Sequence, residues 1–393
     1  MVTLRQKPNV WAHASTPAGV DALREVLIRA EIIEPSLTYR ISVPAISEIN
    51  ESDVTVLQDT GSKSAQNFLK DISPDLCLWT GDSLDTPLFS LNHHVSRPVA
   101  LINPNIKTLL GRPWIWRKTV MRQFLRPVCY SFAERLEDVN DLRSLGLAAK
   151  KIEVIGPLLS GVVAPACDEA ERDHIGEILA ARPVWFAHKV PLSEIRMVLE
   201  SFVEAQRNAH RLLLILDLED QFSISTFNEI SSALNLISQS RSEVVKPEPS
   251  TQVFLTDGSS DVGLWYRLAS ISYMGGSFTS GKVPNPLVAA ALGSSVIHGP
   301  KVNVFKELYV RMMEGGASVS LEREKDLSSK LAVLMAPDQC AEMAKKGWQV
   351  VSDGAVAIDR LVDFILDKML SLIHISEPTR LRRISYAVFC LKK

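Results

Sequence analysis

The stretch 272–300, SYMGGSFTSGKVPNPLVAAALGSSVIHGP, constrains this chain more than any other. It opens on the end of an apolar run and turns at Gly275-Gly276-Ser277. Two further turn-formers follow, Gly281 and Pro284, and then Asn285-Pro286. That pair is a helix start, with asparagine as cap and proline in the first turn. Residues 287–292 are small and apolar, Gly293 stops the helix, and 295–298 is a second apolar run closed by Gly299-Pro300. The order predicts strand, glycine turn, helix, strand. Main-chain amides in a glycine turn and at a helix N-terminus attract an anion. A plain tight connection needs glycine for its backbone alone. The residues leave both readings open.

The same alternation runs through the chain. Short apolar runs at 10–14, 37–43, 54–57, 76–79, 99–103, 128–132 and 151–155 read as strands, with helical patterns such as 17–33 between most of them. After a linker near 160 the pattern restarts, with strands at 184–188, 211–216, 252–255, 271–274, 295–298 and 317–319. Helices at 325–335, 337–351 and 354–370 close it. Strands alternating with helices build parallel sheets covered on both faces. The expected fold is therefore α/β, two Rossmann-like doubly wound domains facing across a cleft. The expected domains are 1–160 and 161–345, with closing helices over 346–370.

A formal charge of −2 gives no case for a nucleic-acid partner. The five cysteines form no CxxC and have no short Cys/His spacing, which argues for buried thiols in a reducing compartment and against zinc. No apolar run of about 18 residues suggests a membrane span. Residues 371–393 change character abruptly, and SLIHISEPTRL resembles a translated sequencing adapter. They are set aside as a non-native tail.

Ligands in open α/β sheets bind at the carboxyl ends of strands. Both glycine turns lie at such ends and are expected to be neighbours. Ser15 and Thr16 form the matching turn of the first half. Their hydroxyls either cap the following helix or hold a sugar carboxylate or phosphate. His13 is expected to be a satisfied core histidine. Asp82 and Asp85 follow a buried strand, as a general base or, for Asp85 above all, a helix cap. Residues 112–126, RPWIWRKTVMRQFLR, carry Arg112, Arg117, Lys118, Arg122 and Arg126 among aromatics, with no acid. Such a helix rests on an anionic membrane surface or packs its apolar stripe on its own sheet. His93-His94 and Asp217 with Asp220 lack a completing set of metal ligands and are read as structural.

The run GGSFTSGKVPNPLVAAALGSSVIHGPKVNVFKEL, with Gly315-Gly316-Ala317 after it, resembles the donor-side motif of the lipid A 3-deoxy-D-manno-octulosonate (Kdo) transferases. The likeness extends to Thr256-Asp257 and Leu264-Trp265-Tyr266 upstream and to Trp348 and Gly354-Ala355 downstream, and more weakly to 10–14, 101–103, 142–146 and 183–187. It implies the GT-B fold and transfer of Kdo from CMP-Kdo to a lipid A precursor in lipopolysaccharide core biosynthesis. It implies metal-independent chemistry, no cofactor, and a peripheral place on the cytoplasmic face of the inner membrane. The donor would lie against Gly275, Gly276, Ser277, Asn285, Pro286, Gly299, Pro300 and Asn303. The acceptor would lie near Ser15, Thr16, Arg117 and Arg122, with Asp82 as base and Asp21 behind it. Two glutamates of the family's pattern fall on Gly19 and Val288 here, and the family's N-terminal membrane helix has no counterpart, as if the gene were truncated. Alternatives are a catalytically impaired GT-B relative that binds lipid A or a nucleotide sugar, and a GT-B transferase with another donor.

Overall fold

The computed structural model describes residues 7–44, 54–57, 62–81, 98–104, 122, 125, 128–161, 164–180, 182–256, 258 and 261–374. The chain divides into two compact units, 1–158 with 357 onward, and 159–356.

The first unit carries β1 (Asn9–Ala14), α1 (Pro17–Ile33), β2 (Thr38–Pro44), β3 (Val54–Leu57), α2 (Ser62–Ile72), β4 (Leu76–Thr80), β5 (Val99–Ile102), β6 (Val128–Ala133), α3 (Leu136–Ser144) and β7 (Ile152–Val154). Its strands form one parallel sheet in the order β3-β2-β1-β4-β5-β6-β7. Strand residues alternate between faces, so the buried run of β1 serves two cores. Val10, Ala12 and Ala14 pack with Leu23 and Val26 of α1 and with Ile358, Leu361 and Phe364. Trp11 packs the other way, with Leu69 of α2, Trp79 and Leu142 of α3.

The second unit carries α4 (Glu169–Leu179), β8 (Val184–Val190), α5 (Ile195–Gln206), β9 (Leu213–Leu218), α6 (Ile224–Ala233), β10 (Ser238–Ser240), β11 (Val253–Leu255), α7 (Val262–Leu268), β12 (Ile271–Met274), α8 (Pro286–Ala291), β13 (Ser295–His298), α9 (Lys306–Glu314), β14 (Ser318–Ser320) and α10 (Asp326–Leu334). Its sheet is again parallel, ordered β10-β11-β9-β8-β12-β13-β14. Trp185 and Ala187 of β8 face Val198 and Phe202 of α5, while Val184 and Phe186 face Leu264 and Trp265 of α7.

Several details differ from the sequence reading. The polar strand β10, Ser-Gln-Ser, carries no apolar signal and exists only through pairing with β11 at the sheet edge. Strand β8 continues past residue 188 to Val190 through a register shift between Ala187 and Val190. The last two expected helices are one, α11 (Pro337–His374), with no break before Gly354. A Cβ on Gly354 would lie 2.9 Å from Leu159 Cβ, so this glycine allows close packing inside a helix instead of starting a new one. Residues of α11 up to 356 belong to the second unit, and from Ala357 onward the helix packs on the first unit's sheet. The helix also runs beyond 370, to His374.

Candidate functional site

At the carboxyl ends of the second sheet the polar residues converge on the junction of β8 with β12, where the strand order reverses. Gly275 follows β12 and donates its amide to the His188 carbonyl at 2.8 Å. A Cβ there would lie 2.2 Å from the Lys189 carbonyl oxygen, so only glycine fits. Ser277 ties the two glycine turns together. Its hydroxyl donates to the Met274 carbonyl (2.6 Å) and accepts from the Gly299 amide (2.7 Å), and its carbonyl accepts from the Lys301 amide (2.8 Å). The two turns are therefore neighbours, as their positions after adjacent strands imply. Ser277 is fully buried, so its side chain is a fastener.

The amides of the first turn face an anion that the chain itself supplies. Glu194, at the end of the turn that leads into α5, is 1% exposed. Its Oε1 accepts from the amides of Phe278 and Thr279, each 3.0 Å, and from the Thr279 hydroxyl at 2.8 Å. Its Oε2 accepts from the Gly276 amide (2.9 Å) and the Tyr273 hydroxyl (2.7 Å). Burial and this carboxylate hold the Tyr273 hydroxyl well above its ordinary pKa. A buried carboxylate is tolerated only when its lone pairs are met in this way. The anion cradle anticipated from glycines is thus occupied by Glu194. The start of α8 is also occupied, because the Asn285 side chain accepts from the Leu287 amide at 2.9 Å.

What remains for a ligand is the rim. Lys189 is exposed and holds a left-handed backbone, φ +52°, unusual for a lysine and fixed by its amide donating to Asp217 Oδ2 at 3.1 Å. Lys282 and Lys301 are exposed on the two glycine turns, and Lys301 Nζ donates to the Thr279 carbonyl at 3.3 Å. Pro300 and Asn303 are exposed beside them, with Asn303 against Gly281. Asn285 is half-buried, and Gly275, Gly276, Pro286 and Gly299 are buried.

Behind the rim, His188 Nδ1 lies 2.6 Å from the Tyr266 hydroxyl, and Asp217 Oδ1 accepts from the Thr256 hydroxyl at 2.7 Å. Burial, and secondarily the Lys189 charge, lowers the His188 pKa to about 3, so the ring is neutral at pH 7. His298, at the end of β13, is buried with Nδ1 2.7 Å from the Gly299 carbonyl. Asp217 and Asp220 are structural, Asp220 accepting from the Ser223 amide at 3.1 Å. Among the described residues no group of three or more His, Cys, Asp or Glu side chains is placed to hold a metal.

In the first unit the corresponding junction lies between β1 and β4. The Ser15 amide donates to the Thr80 carbonyl at 3.3 Å, and Thr16 caps α1 by accepting from the Gly19 amide at 3.2 Å. A Cβ on Gly19 would meet Thr80 Cγ2 at 3.1 Å and Thr16 Oγ1 at 3.2 Å. His13 is a core histidine: Ser42 Oγ accepts from Trp11 Nε1 at 2.8 Å and sits 2.9 Å from His13 Nδ1. Burial lowers the His13 pKa to about 3. Asp21 is half exposed and ion-paired with Arg24 at 3.0 Å.

Of the expected acceptor residues, Ser15 and Thr16 do not lie beside Arg122. Ser15 and Thr16 follow β1 at the carboxyl end of the sheet. Arg122 sits at the amino end, donating to the Ser144 carbonyl at 3.0 Å and lining a recess with Val128 and Lys151. Asp82, Asp85, His93, His94 and Arg117 lie outside the described residues. Sequence reasoning missed Glu194 and Lys189. An acid at a helix start reads as a cap, and nothing local couples it to a turn some eighty residues later.

No family profile matches the chain. It is similar to the 3-deoxy-D-manno-octulosonic acid transferase of Rickettsia felis, 22% identical over 283 residues that cover 71% of this chain and 59% of the relative. It is also similar to the protein of that name from Haemophilus influenzae, 24% identical over 188 residues, 47% of this chain and 44% of the relative. The chain thus spans about three fifths or less of the length of these two curated relatives. Among solved structures it resembles MurG of Acinetobacter baumannii, at 12% identity and a TM-score of 0.53, covering 92% of this chain and 99% of that one. Two parallel-sheet α/β units of this kind are the GT-B fold.

Proposed function

We propose that this chain, a divergent relative of the 3-deoxy-D-manno-octulosonic acid transferases, is a glycosyltransferase that moves Kdo from CMP-Kdo to a lipid A precursor. The observation that carries the reading is the double glycine turn at the ends of β12 and β13, locked by Ser277 and Glu194 and rimmed by Lys189, Lys282 and Lys301. Such a rim suits the phosphate of a nucleotide sugar, and it lies at the junction where α/β sheets bind ligands. Asn303 and Pro300, exposed on the same rim, are assigned to the donor. Gly275, Gly276, Asn285, Pro286 and Gly299 shape the floor beneath it.

The acceptor is assigned to the first unit, near Ser15 and Thr16. Its hydroxyl oxygen attacks the anomeric carbon as the bond to the CMP phosphate breaks. The electron pair leaves on the phosphate, eased by the lysine rim, and the proton passes to Asp82 as general base. The reaction is written without a metal or cofactor. The lipid acceptor places the protein at an anionic membrane surface. No helix among the described residues is long and apolar enough to cross a membrane.

A second reading has an observation of its own. At Gly19, where the resemblance puts the family's catalytic glutamate, a Cβ would be 3.1 Å from Thr80 Cγ2, so a longer side chain requires its neighbours to give way. That favours a relative that binds a nucleotide sugar without transferring it. Incubation of the protein with CMP-Kdo and a radiolabelled lipid A precursor separates the two. Labelled product carrying Kdo supports transfer, whereas CMP binding without product overturns it in favour of the binding protein.

A further inference from the structure

At the opposite end of the second unit's sheet lies a cavity of about 320 Å³. It opens where Arg182 leads into β8, Arg211 into β9 and Gln252 into β11. One wall is apolar, made by Ile178 and Leu179 of α4 and by Ile237, which is 53% exposed.

Several acceptors around this cavity are already engaged by the protein itself, which leaves the Arg211 guanidinium, one Arg182 N–H and the Gln206 amide as its open donors. The Arg182 guanidinium donates through Nε to the Arg211 carbonyl and through Nη2 to the carbonyls of Leu212 (3.2 Å) and Thr251. Its Nη1 makes one long bond, 3.4 Å to the Pro249 carbonyl. Gln206 Oε1 accepts from Gln252 Nε2 at 2.9 Å, and Gln252 Oε1 accepts from the Ile237 amide, also at 2.9 Å. The Gln206 amide NH2 is thereby left to donate. Arg182 and Arg211 have no carboxylate partner among the described ion pairs. Burial and the nearby Arg211 charge both lower the Arg182 pKa. Glu248 is the one acid in the lining, against two guanidiniums and His210. A donor-rich recess with excess positive charge and an apolar wall matches a ligand that only accepts hydrogen bonds, carries a negative charge and has a hydrocarbon body.

We infer that this cavity binds a small organic anion, with its carboxylate or phosphate group held by Arg182, Arg211 and Gln206 and its apolar body on Ile178, Leu179 and Ile237. The site is separate from the glycine turns, so its ligand is not the sugar donor.

Calorimetric titration of the full chain with benzoate, phenyl phosphate and neutral benzyl alcohol tests this. Saturable binding of one or both anions, at least tenfold tighter than benzyl alcohol, is expected, and which anion binds identifies the head group. Arg211→Glu, at an exposed position whose side chain makes no hydrogen bond or ion pair among the described contacts, is expected to weaken that binding at least tenfold with the melting temperature kept. Ile237→Asp, also exposed, is expected to do the same by placing a like charge on the apolar wall. The inference is overturned if neither anion binds, if benzyl alcohol binds as well as they do, or if both variants bind like the parent.

Discussion

At the scale of single residues, Glu194 decides more of the candidate site than any glycine does. Five donors point at one buried carboxylate, and four of them belong to the turn at 276–279. Removing the acceptor leaves those donors buried without partners, each costing about 1–3 kcal/mol. Glu194→Ala is therefore expected to lower unfolding stability by roughly 3 kcal/mol or more, and Glu194→Gln by about 2 kcal/mol, since an amide NH2 would face another donor. Urea denaturation measures both, and formate is expected to restore part of the loss in the alanine variant. An alanine variant as stable as the parent would show that the turn stands without its anion. Gly275→Ala is expected to be at least as damaging, because the new methyl lies 2.2 Å from the Lys189 carbonyl oxygen, a backbone atom that cannot swing aside. The turn itself was legible in Gly275-Gly276-Ser277. The anion inside it was not, because Glu194 comes from another strand connection.

At the scale of elements, caps and packing glycines behave as local chemistry predicts in some places and against it in others. Thr16 caps α1 as its position before Pro17 suggests. Thr16→Ala is expected to cost about 1 kcal/mol, read from the shift of the urea midpoint at constant slope. Gly354 illustrates the reverse. Replacing an open helical glycine by alanine gains about 1 kcal/mol of helix propensity. Here the new Cβ would meet Leu159 Cβ at 2.9 Å, so Gly354→Ala is expected to lower the melting temperature. A higher melting temperature would mean that α11 shifts freely to admit the methyl. The sequence reading starts a new helix at Gly354, after a gap at 352–353. Only the neighbouring Leu159 shows that it is a contact.

For the whole molecule, buried histidines make stability depend on pH. His13 titrates near 3 in the folded chain against an ordinary 6.5. Between those values the unfolded chain binds a proton that the folded chain does not, so stability rises with pH. The contribution is complete above about pH 6.5 and is lost as acid approaches the folded pKa. From pH 7 to pH 5 that single group is expected to remove about 2 kcal/mol. His13→Gln is expected to flatten this part of the slope in denaturation curves taken at the two pH values. An unchanged slope would mean that the ring is not what titrates. His188, also held near 3 by burial, adds a slope of the same sign.

Periodicity and punctuation alone determined the architecture: alternating apolar runs and amphipathic stretches force parallel sheets covered by helices, and glycine turns mark the strand ends where ligands bind. These signals are local, carried by residues within a few positions of one another. Tertiary structure decided what those strand ends hold. It brought Glu194 under the Gly276 amide, set Lys189 on the rim, and drew Ser15 and Thr16 apart from Arg122 to opposite ends of one sheet. It also made α11 continuous and gathered Arg182 and Arg211 into a cavity remote from the glycine turns. Each of these depends on which strands lie side by side, and strand order is set by the packing of the whole sheet.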